Sequence, residues 1–164
     1  SEPLFSDQSV WLMRRDHPAA AGPFGLQALA AFPHVDILIS DQLQPAGDAT
    51  IDQGGLERAY ITSNPRYIEG LLGAEGLTRT VGATVSHILA VPALLAATDM
   101  IAYVPLQFAL RAVRALDLAW RDPPYHAPPF EISMLSHRTM GAHPAVAWLR
   151  QALVESAERY HRKD

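Results

Sequence analysis

Apolar and polar residues follow two periods along this chain, and these periods predict strands and helices in turn. Short apolar runs, one from Ser9 to about Arg14 and one at "HVDILIS", predict strands. The second run is rich in β-branched residues, so we expect a strand buried on both faces within a parallel sheet. Between the two runs, "FGLQALAAF" spaces its apolar residues by three or four, which predicts a short helix that Pro33 ends.

The clearest helix signal is "NPRYIEGLLGAEG". Asn64 is suited to cap this helix, Pro65 to occupy its first position and Gly76 to end it. The segment "TRTVGATV" predicts the strand that follows. Residues 41–64 mix polar side chains with scattered Gly and Pro, which is typical of a long surface excursion, and "LERAYIT" within it is a candidate edge strand.

The most apolar stretch of the chain is "VSHILAVPALLAATDMIAYVP". Asp99 divides it, and because a charge near the centre of a membrane span costs about 2.5–3.5 kcal/mol, a folded interior is favoured over a membrane. We expect a buried helix over Ile88–Ala97 and a buried strand over Met100–Val104. Pro92 is unfavourable inside a helix, so it predicts either a kink or a helix that begins later than Ser86.

The last third of the chain continues the alternation of helices and strands. "PLQFALRAV" predicts a helix and "LDLAW" a strand, while "FEISMLS" predicts a strand with Phe130, Ile132 and Met134 on one face. A final amphipathic helix is expected from His143 to about Tyr160. The whole pattern predicts the α/β fold class with a largely parallel sheet.

Composition supports a folded, globular chain, since 49% of the 164 residues are hydrophobic and 18% are charged. The formal net charge is −4, and no basic run is longer than Arg14–Arg15, so the electrostatic footprint of a nucleic-acid-binding surface is missing. The chain has no cysteine, which excludes disulfides and thiolate metal sites. Its first residues, "SEPLFSDQSV", show no secretory signal, and we expect a cytoplasmic protein.

Seven histidines raise the question of a metal site or a catalytic base. Zinc motifs need closely spaced ligands, as in H-E-x-x-H, and none of these is present. The chain also lacks a G-x-S-x-G elbow, a P-loop and a G-x-G-x-x-G turn. We therefore predict no metal, no cofactor and no catalytic residue.

Ser86 and His87 lie where a predicted strand passes into the next helix. Ligands of α/β sheets bind outside the carboxyl ends of strands, and the N-terminus of a helix offers free N–H groups. These two residues could therefore line a ligand site. Alternatively, Ser86 only caps the helix and His87 is a boundary histidine with ordinary hydrogen bonds, which is the favoured interpretation from the residues alone.

Four segments form a distinctive set: "RRDHP", "HVDILIS", the run from "GLLGAEG" to "DMIAYVP", and the late "SHRTMGAHPAVAWLRQAL". Together they resemble the effector-binding domain of LysR-type transcriptional regulators, covering the chain from about Glu2 to Glu155. The resemblance is closest to the branch that responds to aromatic compounds and flavonoid-like inducers.

The resemblance implies a two-lobed α/β fold like that of periplasmic solute-binding proteins of type 2, with lobe two complete and lobe one only partly present. Residues 1–17 would hold the first crossover strand and a remnant of lobe one. Residues 18–130 would form lobe two, and residues 131–164 the return crossover and the C-terminal helix of lobe one. The chain would be an N-terminally truncated fragment, with apolar surface uncovered on "SVWLMRR" and on the terminal helix.

The resemblance also implies the partners. A small, aromatic inducer would bind between the lobes and change the geometry of a homodimer or tetramer on DNA. DNA itself would be bound only through an N-terminal domain outside this sequence, and neither a membrane nor an enzymatic activity is expected. Two other interpretations are a solute-binding protein of the same fold and a small α/β enzyme with His87 or His34 as base.

Ligand-binding residues are also implied by the resemblance. His34 matches a position where aromatic-responsive members carry a histidine. The lobe-two side of the cleft would be lined by Thr84, Val85, Ser86, His87, Ile101, Ala102, Tyr103 and Val104. With the resemblance, a site-lining role becomes the favoured interpretation of His87, whose imidazole would hydrogen-bond a carboxylate or hydroxyl group of the inducer.

Overall fold

The computed structural model describes residues 1–37, 65–136 and 143–161. Two compact units divide the chain: one comprises Ser9–His126, and the other comprises Ser1–Gln8 with Ala127–Asp164. The predictions for Asn64 as a helix cap and for residues 41–64 as a surface excursion with an edge strand at "LERAYIT" lie outside the described residues.

Between residues 9 and 121, strands and helices alternate along the chain as the sequence pattern predicts. The strands are β1 (Glu2–Asp7), β2 (Ser9–Arg14), β3 (His34–Ile37), β4 (Val81–Val85), β5 (Ala102–Pro105), β6 (Leu118–Arg121) and β7 (Phe130–Met134). The helices are α1 (Leu26–Ala31), α2 (Pro65–Ala74), α3 (Val91–Ala96), α4 (Leu106–Ala115) and α5 (Pro144–His161), and a 3-10 turn, Ile88–Ala90, precedes α3.

In the unit of residues 9–126, the strands lie side by side in the order β4-β3-β5-β2-β6. β3 pairs with β4 in parallel, and a parallel bridge from His34 to Ile101 joins β3 to the start of β5. β2 runs antiparallel to both of its neighbours, so that Trp11 lies opposite Tyr103 on one side and Arg121 on the other. The expectation of a largely parallel sheet is therefore wrong for the described pairings. A strand buried on both faces has the same residue pattern in either direction, so the sequence could not show the direction of β2.

Helices cover both faces of this sheet, and β2 accordingly has apolar side chains on both sides. Val10 and Leu12 point toward α3 and α4, while Trp11 and Met13 point toward α1 and α2. All four side chains are at most 1% exposed. The expectation that this strand carries uncovered apolar surface is therefore wrong.

Local sequence signals mark the start and the end of α2 and the late start of α3. α2 begins at Pro65, and Gly76, with a φ of 69°, follows its end. α3 begins at Val91 with Pro92 in its first turn, which confirms the expectation of a helix that begins later than Ser86. The single buried helix predicted over Ile88–Ala97 is instead a 3-10 turn followed by α3.

A bulge in β4 brings it close to β3. Val81 pairs with His34 and Ala83 with Val35, which leaves Gly82 as the extra residue between them. A Cβ at Gly82 would lie 2.7 Å from the Cβ of Pro33, so only glycine fits this approach without a shift of the backbone. The bulge is local to the start of β4, and the register continues to its end.

The other unit contains β1, β7 and α5. β1 pairs antiparallel with β7, and α5 contacts β1. β1 was not predicted from the sequence, whereas β7 alternates as predicted, with Phe130, Ile132 and Met134 the more buried residues. Three large apolar side chains of α5 are exposed in the described structure: Trp148, Leu149 and Leu153. No helix among the described residues is both long and apolar enough to cross a bilayer.

The break between the units falls at Gln8–Ser9 and at His126–Ala127. The lobe boundaries that the resemblance implies, after residues 17 and 130, differ from these breaks and stay a prediction. β2 belongs to the unit of residues 9–126 because both of its edges are paired within that unit.

Candidate functional site

The carboxyl ends of β3 and β4 lie together, since Ile37 pairs with Val85 at the end of the parallel ladder. Ser86 and His87 follow β4 directly and are both exposed. This edge is where parallel α/β sheets bind ligands. Ser86 and His87 thus lie at the carboxyl ends of the strands, where α/β proteins commonly bind ligands.

His87, rather than Ser86, caps the turn that follows. Its backbone is extended, and its Nδ1 accepts a hydrogen bond from the backbone N–H of Leu89 at 3.2 Å. Because Nδ1 acts as the acceptor, the neutral imidazole carries its proton on Nε2. The capping bond therefore leaves an exposed imidazole with an N–H donor on the other nitrogen.

His34 lies at the opposite end of β3. It pairs with Val81, and three residue steps along β3, about 10 Å, separate it from Ile37, the partner of Val85. Its side chain is 1% exposed, and its Nε2–H donates to the backbone carbonyl of Leu29 at 2.8 Å. Burial lowers the pKa of His34 below its usual range, so the ring is kept neutral. The structure does not bring His34 together with the loop at 84–87.

The other predicted site residues divide between the surface and the interior. Thr84 is exposed, and Val85 packs against the core on the α3 and α4 side. Three of the predicted residues at β5 are buried: Ile101 and Ala102 are 0% exposed, and Val104 is 1% exposed. Within that segment, Tyr103 alone is partly exposed.

Tyr103 belongs to a group of aromatic side chains that the sequence did not indicate. Its ring lies 5.2 Å from that of Trp11 and 6.3 Å from that of Tyr125, measured between centroids. Tyr67 of α2 meets Tyr125 edge-on at 5.8 Å. We call these four residues the aromatic cluster. Trp11 reaches Tyr103 only through the β2–β5 register, and no local sequence signal encodes that pairing.

Burial dominates the electrostatics of the aromatic cluster. It raises the pKa of Tyr103 and of Tyr125 above the usual range of tyrosine, because an ionised phenolate there would lose its hydration. The Tyr125 hydroxyl also interacts with the Tyr103 hydroxyl, which raises the pKa of Tyr125 further, and with the indole N–H of Trp11, which lowers it. Both phenols are therefore neutral hydrogen-bonding groups.

A buried ion pair next to the site was also missed. Arg79 donates to both carboxylate oxygens of Asp36, at 2.7 and 2.9 Å, and contacts Glu69 of α2 at 3.1 Å. Its side chain is only 5% exposed, and the Asp36 carboxylate raises its pKa further. This guanidinium is thus already committed to protein carboxylates. No group of three or more potential metal ligands occurs among the described residues.

Comparison with known proteins relates the chain to transcriptional regulators. A family model described as LysR substrate binding domain matches residues 56–158. The chain is 29% identical over 152 residues to the HTH-type transcriptional activator NagR of Ralstonia sp, and this match covers 93% of the chain and 44% of NagR. It is also 29% identical over 158 residues to the HTH-type transcriptional regulator SyrM of Rhizobium meliloti (strain 1021), covering 94% of the chain and 41% of SyrM.

A solved structure shows the same architecture. The regulatory domain of MexT, a transcriptional activator in Pseudomonas aeruginosa, superposes with a TM-score of 0.64 at 27% identity. That match covers 94% of this chain and 65% of the MexT domain. The chain spans less than half of the length of NagR and of SyrM.

Proposed function

This chain belongs to the LysR substrate binding domain family, and on that premise we propose that it senses a small aromatic inducer for a transcriptional regulator. The chain has the periplasmic-binding-protein-like type 2 fold of that family and is an effector-binding domain. A cytoplasmic location and control of the geometry of a DNA-bound homo-oligomer are parts of the same proposal.

The relatives support a sensory role over the other interpretations. NagR, SyrM and MexT are each described as transcriptional regulators or activators, which is a non-enzymatic role. A solute-binding protein of the same fold and an enzyme with His87 or His34 as base gain no support from them. The buried His34, with its Nε2–H held by the Leu29 carbonyl, is also poorly placed to act as a base.

The proposal depends most on the hydrogen bonding and the exposure of His87. Its Nδ1 is occupied by the cap to Leu89, and the exposed ring lies at the carboxyl ends of β3 and β4. A neutral imidazole fixed in this way presents Nε2–H to an acceptor oxygen of a ligand. Thr84 and Ser86 are exposed beside it and offer hydroxyl groups.

A His87→Ala variant tests this role. A thermal-shift screen with benzoate and 4-hydroxybenzoate as probes first identifies a binding acid. Loss of one ligand hydrogen bond, worth about 0.5–1.5 kcal/mol, should then raise the dissociation constant of that acid by about two- to tenfold. In the full regulator, the inducer dose response should shift by a similar factor while DNA affinity is unchanged.

His143→Ala provides a matched control. His143 is also exposed and uses its ring in the same way, because its Nδ1 accepts from the backbone N–H of Ala145 at 3.3 Å at the start of α5. It is not among the residues proposed to line the site, so its loss should leave ligand affinity within twofold of the starting protein. Equal dissociation constants for the His87→Ala variant and the unaltered protein would contradict the role of His87.

A further inference from the structure

Leu89 is the most exposed large apolar side chain among the described residues of the unit of residues 9–126. It is 70% exposed, whereas Tyr67, which comes next in that unit, is 47% exposed. Single exposed leucines are common on protein surfaces, so exposure alone does not indicate a site. The place of Leu89 in the fold adds to it, because this residue lies in the turn that follows the carboxyl end of β4.

The turn that carries Leu89 is anchored on both sides. Ile88 packs against the core on the α3 and α4 side, and Val91 is 0% exposed. Between them, the backbone N–H of Leu89 donates to Nδ1 of His87 at 3.2 Å, and the N–H of Ala90 donates to the His87 carbonyl at 3.1 Å. These hydrogen bonds use the backbone of Leu89, so they form equally well with a polar side chain at this position.

The same hydrogen bond places Leu89 beside the imidazole of His87. The backbone nitrogen of Leu89 is 3.2 Å from Nδ1, and its own Cβ is two bonds, at most about 3 Å, from that nitrogen. The side chain of Leu89 therefore begins within about 6 Å of the His87 ring. A hydrogen-bond donor, Nε2–H of His87, and a large apolar side chain thus lie together on one exposed turn.

This combination suits a ligand that carries a polar group next to apolar surface. Ligand sites consist mostly of apolar surface with a small number of placed polar groups. Thr84, Ser86 and His87 are exposed and supply polar groups, while Ile88 is packed against the core. Leu89 is the large apolar side chain that the turn exposes to the apolar part of such a ligand.

We propose that Leu89 contacts the aromatic ring of the inducer and determines how tightly the site holds a ring-bearing acid. The acid group meets Nε2–H of His87, and the ring covers the side chain of Leu89. Contact between the two removes apolar surface from water on both sides, so the gain in affinity follows the apolar area at position 89. This role of Leu89 rests on the proposed function, since it requires that the inducer binds at His87.

Variants at position 89 test this role through the dissociation constant of benzoate, measured by NMR titration of the ¹⁵N-labelled chain. Leu89→Ala removes most of the apolar contact and should raise the dissociation constant by about three- to tenfold. Leu89→Met restores an apolar side chain of similar volume and should bind benzoate more tightly than Leu89→Ala. The melting temperature of the ligand-free chain should not change in either variant, because the position is exposed.

Leu116→Ala provides a matched control. Leu116 is also exposed, at 40%, and lies between the end of α4 and the start of β6. β5 and β6 both run antiparallel to β2, so α4 leads from the carboxyl end of β5 to the opposite edge of the sheet. Loss of the Leu116 side chain should therefore leave benzoate binding unchanged.

His87→Ala separates the role of Leu89 from the proposed function. If His87→Ala weakens benzoate binding and Leu89→Ala does not, the site at His87 stands and the role of Leu89 is wrong. An equal loss in Leu116→Ala, no recovery in Leu89→Met, or a lower melting temperature of ligand-free Leu89→Ala would also overturn that role. Absence of benzoate binding contradicts the role of Leu89, whereas 4-hydroxybenzoate still tests the proposed function by itself.

Discussion

His34 shows how burial fixes the protonation state of a single residue. Its ring is 1% exposed, meets Trp11 edge-on at 4.9 Å and donates from Nε2 to the Leu29 carbonyl. Burial is the largest cause of its lowered pKa, and the charge of Arg79 acts in the same direction. The folded state therefore favours the neutral ring, and protonation works against the fold.

The lowered pKa predicts a loss of stability in mild acid. The unfolded chain takes up the proton as the pH falls below about 6.5, whereas the folded chain resists until its own lower pKa. The stabilisation that comes from keeping His34 neutral is thus fully present above about pH 6.5. The free energy of unfolding falls as the pH drops from there toward the folded-state pKa. Each unit of pKa difference corresponds to about 1.4 kcal/mol.

Urea unfolding at pH 7.5 and 5.5 measures this effect. A His34→Gln variant has no titrating ring, so it should lose less stability between the two pH values than the unaltered chain. The carboxylates are common to both proteins and cancel in the difference. An identical pH dependence for the two would show that His34 does not titrate differently on folding.

At the scale of elements, Arg79 joins three parts of the fold. It precedes β4, binds Asp36 of β3 through both carboxylate oxygens, and contacts Glu69 of α2. The Arg79 and Asp36 side chains are 5% and 15% exposed, so the pair is largely removed from water. Removal of one partner leaves the other as a buried charge without compensation.

Arg79→Met should therefore reduce the free energy of unfolding by about 3–5 kcal/mol. Adding Asp36→Leu to it should recover part of that loss, because the uncompensated carboxylate is then gone. Glu69, which is 54% exposed, forms the weaker contact, so Glu69→Gln should cost less than about 1 kcal/mol. Chemical denaturation of these three variants, of Asp36→Leu alone and of the unaltered protein measures these values, and additive effects of the two substitutions at Arg79 and Asp36 would contradict the coupling.

The bounds of elements could be predicted from the sequence better than their partners. β2 was predicted with the observed bounds, and the start of α2 was read from Pro65, because these signals are local. The direction of β2 and the pairing of Trp11 with Tyr103 depend on residues about 90 positions apart, which no local pattern contains. The aromatic cluster was missed for the same reason.

The candidate site was predictable only in part. Ser86 and His87 follow a parallel strand, and that position can be read from the order of elements. His34 also begins a strand, but its burial depends on packing against α1, whose Leu29 supplies the carbonyl. Ile101, Ala102 and Val104 alternate with Tyr103 in sequence, yet their exposure depends on the neighbours of β5 in the sheet.

At the scale of the whole molecule, the large buried side chains are concentrated in one unit. All residues of the two described hydrophobic clusters, one on each face of the sheet, lie between Val10 and Tyr125. In the unit of residues 1–8 and 127–164, by contrast, Trp148 is 72% exposed and Leu149 is 51% exposed. Burial of apolar surface is the main favourable term in folding, so the two units differ in their capacity to fold alone.

A chain of residues 9–126 should therefore fold by itself, because both faces of its sheet and their helices are retained. We expect one cooperative urea transition followed by Trp11 and Trp120 fluorescence, and the same indole N–H NMR signal of Trp11 as in the whole chain. A Leu12→Ala variant of this segment, which empties a fully buried position on the α3 and α4 side, should lower the free energy of unfolding by about 2–5 kcal/mol. A gradual, non-cooperative loss of structure in the unaltered segment would mean that the residues outside 9–126 are needed for the core, although they contribute no side chain to either described cluster.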